Sequence, residues 1–440
     1  MTPARQKLLI VTRHTPLPWE DGAGAYLHDL ARYLATDGFR VHILWLAPHD
    51  RLRWKKIWRL PAPFARAVRL HLPGALRLGR RFVFLAVVWL PFKARALDRV
   101  RRALNTVGLA PPRRHPSPAP PAAAPLWASP PTPAELALVV RFFEKHRPDV
   151  VITNYAWLCP ILDLPALRRT CTACLTHDIG WQRAALSAPG IAPEITRDGE
   201  AAWLRRAALL VAISETDAAE LAALAPAARV VVAPKACETR APFAETTSRS
   251  LLFVGSDNAF NARGLDWFLR EVWPRLLREV PDVSLHVCGS IDRLVTLCPD
   301  GVAFHGPVPD LAPCYRQAAL VIVPLLQSTG LNIKLVEAAA CGRAIVTTPA
   351  ALPGAPFLRD AVAVAATPGE FAAAIRHLLD QPAVRAATAA RALAAVRARL
   401  APATCYGPLA ALLRANAVAR HDVARDLRVL HASGAHPPQP

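Results

Sequence analysis

The chain has 440 residues, 53% of them hydrophobic, and 53 Arg or Lys against 33 Asp or Glu, for a formal net charge of +20. That length is long for one domain and fits two, with apolar material for two cores. No window reaches the roughly 18–20 consecutive apolar residues that span a bilayer, and the nine cysteines sit mostly in apolar stretches, as at Cys159, Cys174, Cys288 and Cys341, so they read as reduced, buried thiols.

Lys7 to Thr12 reads as a strand. Its apolar stretch, Leu8 to Val11, is too short for a secretory signal, and a cytoplasmic location is expected. Asp21-Gly22-Ala23-Gly24 reads as a loop before a helix carrying Leu27, Leu30, Ala31 and Leu34. Asp37-Gly38 stops that helix, and Phe39 to Leu46 reads as the next strand. Leu27 takes the third glycine position of G-x-G-x-x-G, so this is no dinucleotide fingerprint. No short-period repeat is present.

Arg51 to Arg114 holds 17 Arg or Lys and one acid, Asp98, a net +16 of the chain's +20. Trp54, Trp58, Phe64, Phe82, Phe84, Trp89 and Phe92 are interleaved with these cations, and Phe82 to Phe92 is apolar throughout. Such a segment fits an anionic membrane surface. Two other readings are an RNA-binding patch, for which no accompanying signature exists, and an insertion whose aromatics fill the local core. Pro111 to Pro133, with ten prolines in 23 residues, reads as a flexible or polyproline-like connector.

Asp149 to Thr153 and Cys171 to Thr176 read as strands. His177 and Asp178 follow the second, where residues face the crevice of an open α/β sheet. Cys171 and Cys174 form a lone C-x-x-C, which has no second pair to complete a zinc site. Glu200 to Leu210 reads as helix, Leu210 to Ile213 as strand, and Ser214 as the N-cap of a helix through Leu224. Arg229 to Ala233 closes this half as a strand, after which Lys235 reads as a hinge-surface residue.

In the second half, Leu251 to Val254 is a short apolar strand, followed by a polar loop from Gly255 to Gly264. Leu265, Phe268, Leu269, Val272, Trp273 and Leu276 then recur at helical spacing, and Ser284 to Cys288 is the next strand. Leu320 to Leu326 is an apolar run that breaks at Gln327-Ser328-Thr329-Gly330. A helical pattern follows to Cys341, Gly342 closes it, and Ala344 to Thr348 is again strand-like: one βαβ unit of a parallel sheet. The first N–H groups of that helix lack intrahelical partners and favour an anion. Ser328, Thr329, Gly330 and Leu331 let a phosphate approach them. Lys334 and Glu337, three apart, share a helix face, placing a cation for phosphate beside a carboxylate for sugar hydroxyls. Pro368 to Leu413 is alanine-rich and helical in pattern.

The segment around Glu337-Ala338-Ala339-Ala340-Cys341-Gly342 resembles the donor-binding signature of the retaining GT-B glycosyltransferases of group 1, or family 4. The family's first glutamate, before seven residues and a second one, is Thr329 here, which resembles a branch with a small-small-Gly loop and a Lys three before the second Glu. The resemblance implies that Glu337 binds the nucleotide ribose and that loop amides and Lys334 hold the diphosphate. Phe253-Val254-Gly255 also resembles the family's first donor-domain strand. Ser256 stands where an Arg is usual, and Arg263 where a Lys is usual, so Arg263 is expected to clamp the diphosphate. By the same resemblance His177 lies near the donor sugar, Gly22 and Gly24 border the donor phosphates and the acceptor, and the last helix crosses back to the first domain.

The expected architecture is therefore α/β, with two Rossmann-like domains facing each other across a cleft (GT-B). Residues 1–236 form the acceptor-side domain, with the basic insertion 51–110 and the connector 111–133. Residues 237–249 are the linker, 250–400 the nucleotide-sugar domain, 401–432 terminal helices and 433–440 a disordered tail. The resemblance implies transfer of a sugar from a nucleotide-diphosphate sugar to a hydroxyl, with retention, with no metal and no cofactor beyond that co-substrate. The expected acceptor is a glycan or lipid-linked species in surface-polysaccharide synthesis, met at the inner face of the cell membrane; nucleic acid is not an expected partner. Two alternatives stay open: a nucleotide-sugar epimerase of the same fold, and a non-catalytic nucleotide-sugar-binding scaffold.

Overall fold

Short apolar strands alternating with amphipathic helices build two separate parallel sheets. The computed structural model describes residues 5–17, 22–46, 57–84, 128–186, 195–239, 243, 246–308 and 310–432. From the N-terminus, β1 (Lys7–Thr12) leads through α1 (Gly22–Thr36) to β2 (Arg40–Trp45). Next come β3 (Ile57–Arg59), α2 (Ala62–Ala67), β4 (Arg69–His71), β5 (Ala75–Leu78) and β6 (Arg81–Phe84). Then follow α3 (Pro133–His146), β7 (Val150–Asn154), β8 (Cys171–Leu175), α4 (Gly180–Leu186) and α5 (Arg197–Leu204). This half closes with β9 (Leu209–Ala212), α6 (Glu215–Leu224) and β10 (Arg229–Val232). Seven of these strands form one sheet in the order β10-β9-β8-β7-β1-β2-β4, every pair parallel.

The second half begins with β11 (Ser250–Val254), α7 (Ala259–Trp267), a π-helical turn over Phe268–Val272 and α8 (Trp273–Glu279). It continues with β12 (Ser284–Cys288), β13 (Val302–Gly306), α9 (Ala312–Gln317), β14 (Leu320–Val323) and α10 (Ile333–Ala340). After β15 (Ala344–Thr347) and β16 (Ala363–Val364) the chain ends in α11 (Pro368–Asp380), α12 (Pro382–Arg399) and α13 (Pro402–Ala432). The second sheet has the order β13-β12-β11-β14-β15-β16, again all parallel.

Helices cover both faces of each sheet, so strands such as β7, β8, β9 and β14 are buried at every position. In each sheet the strand order reverses once, between β1 and β7 and between β11 and β14. A crevice opens at the carboxyl ends of the strands at such a reversal. Helix α13 crosses back onto the first half. There Tyr406 Oη accepts from Ala236 N at 2.9 Å, its ring lies 5.9 Å from Tyr26 and 5.5 Å from Tyr33, and Arg414 pairs with Asp37. One apolar cluster runs unbroken from Tyr26 and Leu30 through Leu335 to Leu409 and Leu413.

A buried ion pair returns the chain to the first sheet after the long insertion. Arg13, 3% exposed, donates through Nε and Nη2 to the two oxygens of Glu135, both at 2.8 Å, and through Nη1 to Ser129 O at 2.6 Å. Glu135 also closes a capping box with Thr132 at the start of α3. Burial works against its charge, but Arg13 and the Thr132 amide hold its carboxyl below the usual glutamate range.

Several sequence expectations change. The helix expected over Glu200 to Leu210 runs instead over Arg197–Leu204, because the Thr196 hydroxyl caps it at Gly199 N and the chain is extended again by Leu209. Cys171 and Cys174 lie on one strand, three apart, and pack into cores on opposite faces of the sheet, so they cannot converge on a metal. Of the basic segment, residues 57–84 are folded: β4 extends the main sheet, β3, β6 and β5 form a small antiparallel sheet, and Phe64 and Phe82 are buried in the core. Residues 51–56 and 85–110, the connector up to residue 127 and the tail 433–440 lie outside the described residues. Among the described residues no helix is long and apolar enough to cross a membrane.

Three histidines meet at the β4 edge. His42 Nδ1 lies 3.1 Å from His71 Nε2 with the rings stacked, and the His146 ring is 5.2 and 5.3 Å from theirs. Burial pushes His42 down to about 4 and His71 down to about 3. His146 and Arg69 near both, His42 and Arg77 near His71, and Arg40 and Lys7 near His42 reinforce the shift. Folding therefore favours the neutral rings. Their contribution to stability is complete above 6.5, the unfolded value, and is lost as pH falls through the folded values. Urea unfolding should show stability falling between about pH 6.5 and about pH 4, and His71→Gln should flatten that fall.

Candidate functional site

The candidate residues of the second half gather where β11 and β14 end. Between Val323 and Ile333 the chain turns through Gly330 at φ +60°, and a side chain there would lie 2.9 Å from the His177 carbonyl of the first half. Ser328 Oγ donates to Ala350 O at 2.8 Å. Asn332, at the N-cap position of α10, spends its side chain on the loop, donating to Ser328 Oγ at 3.1 Å and Ala351 O at 2.7 Å. It makes no side-chain bond to the helix, so among the described residues no side chain caps α10, and no acid stands in that turn. Thr329 is half-buried, and Leu331 is buried in the core.

Lys334 rises from the first turn of α10. Its ammonium donates to Asn261 Oδ1 and lies 5.5 Å over the Phe253 ring. Among the described residues no carboxylate pairs with it, and burial pushes it down to about 7. Asn261 is held in turn, its Nδ2 donating to Ser256 O at 2.9 Å and its N–H to Asn258 Oδ1 at 2.9 Å. Gly255 closes β11, its N–H donating to Cys288 O at 2.9 Å. Ser256 therefore supports the lysine's partner.

The polar loop is shorter than expected. Asn258 caps α7, and Arg263 lies within that helix instead of on a loop. It is exposed, and its Nη1 donates to Gln327 Oε1 at 3.2 Å, which places it over the rim of the Ser328 loop. Gly22 and Gly24 are likewise not in a loop but in the first turn of α1. A Cβ on Gly22 would lie 2.6 Å from Ile333 Cδ1, so the N-termini of α1 and α10 meet across the cleft, neither with an acid in its first turn.

Glu337, one turn beyond Lys334, is one-third exposed and faces Lys235 at 3.7 Å. Lys235 is not a hinge-surface residue. Its side chain is 6% exposed, and it also pairs with Asp29 of α1 at 3.1 Å. Burial opposes its charge, but the two carboxylates outweigh that and hold it protonated. Burial raises the Glu337 carboxyl, and Lys235 offsets part of the rise.

The facing wall is made by the ends of β1, β7 and β8. His177 is 8% exposed, and its Nε2 lies 2.7 Å from Asn154 Oδ1. Asn154 Nδ2 donates to Thr12 Oγ1 at 2.9 Å, so Oδ1 is the acceptor and His177 Nε2 carries the proton. The His177 ring packs 4.5 Å from Tyr155 and 5.3 Å from Tyr26. Tyr155 holds φ 79°, a costly conformation for a bulky residue, which aims its ring at His177. Asp178 is not an open carboxylate, because its Oδ2 pairs with Arg183 Nη1 at 2.6 Å. Asp217, in the first turn of α6, is 6% exposed, and among the described residues its Oδ2 has no hydrogen-bond partner.

The structure thus brings together Gly22, His177, Gly330, Lys334 and Glu337, keeps Arg263 at the rim, and withdraws Asp178 into an ion pair. Asn258 was readable as an N-cap before an apolar helix. Asn154, Asp29 and Lys235 had no local signal, since Lys235 and Asp29 are 206 positions apart. Among the described residues no group of three His, Cys, Asp or Glu is placed to hold a metal ion.

Residues 248–381 match the family described as glycosyl transferases group 1. No curated protein matches the sequence. Sucrose-phosphate synthase from Thermosynechococcus elongatus is similar in structure, with a TM-score of 0.61 at 15% identity, over 97% of this chain and 100% of that one. HepE of Anabaena in complex with UDP and glucose gives 0.59 at 14%, over 93% and 100%. WaaG, a glycosyltransferase involved in lipopolysaccharide biosynthesis, gives 0.58 at 16%, over 92% and 99%. At these identities the likeness is one of fold: two Rossmann-like domains facing each other across a cleft, the GT-B arrangement.

Removing the Lys235 ammonium leaves two carboxylates facing a buried site. Lys235→Met should lower the unfolding free energy by about 3 kcal/mol in urea titrations, and Asp29→Asn placed on top of it should recover part of the loss.

Proposed function

We propose that this chain, whose residues 248–381 match the group 1 glycosyltransferases and whose two domains take the GT-B fold, moves a sugar from a nucleotide-diphosphate sugar to an acceptor hydroxyl. The observation that carries the reading is Lys334: a half-buried ammonium with no carboxylate partner among the described residues, in the first turn of α10 next to Ile333, which meets Gly22 at the start of α1. Two helix dipoles and a cation converge there, and a diphosphate is the anion that fits. The same groups would stabilise the diphosphate as it departs, where positioned charge is worth roughly several kcal/mol. Glu337, open to the cleft, takes the ribose hydroxyls, and Arg263 reaches the outer phosphate oxygens from the rim. His177 stands by the sugar. The bound UDP and glucose of HepE support a donor of this kind. Retention, and a reaction without a metal, follow from the family resemblance.

A second reading, donor binding without transfer, is favoured by Thr329, which leaves the loop without a carboxylate. Formation of a glycosylated product separates the two.

Isothermal titration with a panel of nucleoside diphosphates should give one that binds, weakened about tenfold or more in Lys334→Met and in Glu337→Ala. Because Lys334 sits near 7 when free, and a bound phosphate favours its charged form, binding at about pH 8 should take up close to one proton. Affinity should then fall as pH rises above 7, and Lys334→Met should abolish both effects. Absence of binding by every nucleotide would overturn the reading.

The acceptor is a glycan or lipid-linked species met at a cytoplasmic membrane face. Support comes from β5, where Leu76 and Leu78 are 49% and 57% exposed on one face of the strand and the cations Arg77, Arg80 and Arg81 lie close by. Co-sedimentation with vesicles of anionic lipid should succeed at low salt, weaken at high salt, and be reduced in Leu76→Ser with Leu78→Ser. Equal sedimentation with neutral vesicles would count against it.

A further inference from the structure

Asp217 is a buried acid in the first turn of α6 with one carboxylate oxygen left over among the described residues. Ser214 caps α6, its hydroxyl accepting from Asp217 N at 3.1 Å, and the Ser214 side chain also works to hold the Asp217 carboxyl down. Among the described residues Oδ2 of that carboxylate has no hydrogen-bond partner, and the residue is 6% exposed. A carboxylate oxygen stripped of water and left unpaired costs stability. Burial pushes Asp217 up to about 6, the Ser214 side chain works against that rise, and the neighbouring acid Asp178 adds to it. Such a cost is tolerated where a ligand supplies the missing partner.

The direction of the oxygen indicates which ligand. Oδ2 lies 3.7 Å from where a Cβ on Gly330 would stand, against the same loop that the His177 carbonyl and Ile213 also approach. The oxygen from the first domain is therefore aimed at the loop that precedes the uncapped helix of the second. That loop, Gln327 to Leu331, carries no carboxylate of its own. A phosphate is the wrong occupant, because like charges repel. A hydroxyl is the right one: it donates, it is neutral, and a site built to accept its proton rejects analogues that lack it.

Resting on the glycosyl-transfer reading, we propose that Asp217 accepts a hydrogen bond from a hydroxyl of the transferred sugar, reaching across the cleft to a loop that has no carboxylate to offer. The seam at Gly330 is closed around Oδ2, so the sugar enters as that loop moves away from the His177 carbonyl. Asp217 thereby selects among donors by the sugar and not by the nucleotide.

The test uses the full chain and matched ligands: UDP, GDP and ADP, and their glucose, galactose, mannose and N-acetylglucosamine conjugates, titrated into wild type, Asp217→Asn and Asp217→Ala. The expected result is that wild type binds one conjugate more tightly than its bare diphosphate. Asp217→Ala should lose about tenfold or more of that increment while the affinity for the bare diphosphate stays unchanged. Asp217→Asn, which keeps an acceptor but sheds the buried charge, should retain part of the increment and melt at a higher temperature than wild type at about pH 8. The inference is overturned if the increment survives in Asp217→Ala, if the bare diphosphate weakens in parallel, or if no conjugate binds more tightly than its diphosphate. A wild type that binds no bare diphosphate overturns the glycosyl-transfer reading itself.

Discussion

Lys235 lies where the chain leaves the first sheet, and its buried ammonium is shared between Asp29 of α1 at 3.1 Å and Glu337 of α10 at 3.7 Å. An ammonium removed from water costs several kcal/mol unless opposite charge stays within a few ångströms. The two helices come from different sheets and have no covalent reason to face each other. The ammonium gives them an electrostatic one, and Tyr406, bonded to the next amide along, closes the same corner from α13. With α1 and α10 so placed, Gly22 meets Ile333 and the two helix N-termini point into one space.

Charge in that space is left unbalanced. The pairing that satisfies Lys235 is denied to Lys334, which has an amide oxygen and an aromatic ring for partners. Among the described residues, Asn332 holds the loop without capping the helix, and Asp217 has an oxygen against the same loop with no donor to accept from. A domain selected only for stability would pair these groups or replace them. A lysine without a carboxylate partner on one side and an acceptor oxygen without a donor on the other, among the described residues, are what the proposed nucleotide-sugar donor would complement.

Much of the architecture was legible along the chain. Strands of four to six apolar residues separated by helices of 3.6-residue period admit few arrangements other than a parallel sheet covered on both faces. The loop before α10, with its small residues and its Lys334–Glu337 pair, was readable because every part lies within one helical turn of the next. Boundaries were less legible. Arg263 belongs to α7 because Asn258 caps the helix earlier than the apolar pattern begins, and Gly24 is buried within the first turns of α1. The apolar side chains of the basic segment divide. Phe64 and Phe82 found a core that composition could not place, while Leu76 and Leu78 stayed outside.

Local pattern was enough to establish the α/β class, the two parallel sheets, the helix that starts after Gly330 and the cation and carboxylate on its face, because propensity, periodicity and helix-end electrostatics act over a few residues. It could not say which charges would lose water and which would find partners. Asn261 reaches Lys334 across 73 positions, Asn154 reaches His177 across 23, and Lys235 reaches Asp29 across 206. Desolvation and pairing depend on what the fold brings within a few ångströms. For that reason Lys235, an unremarked hinge residue in the sequence, becomes the tie between domains, Asp178 is taken up by Arg183, and Asp217 is left with an acceptor to offer.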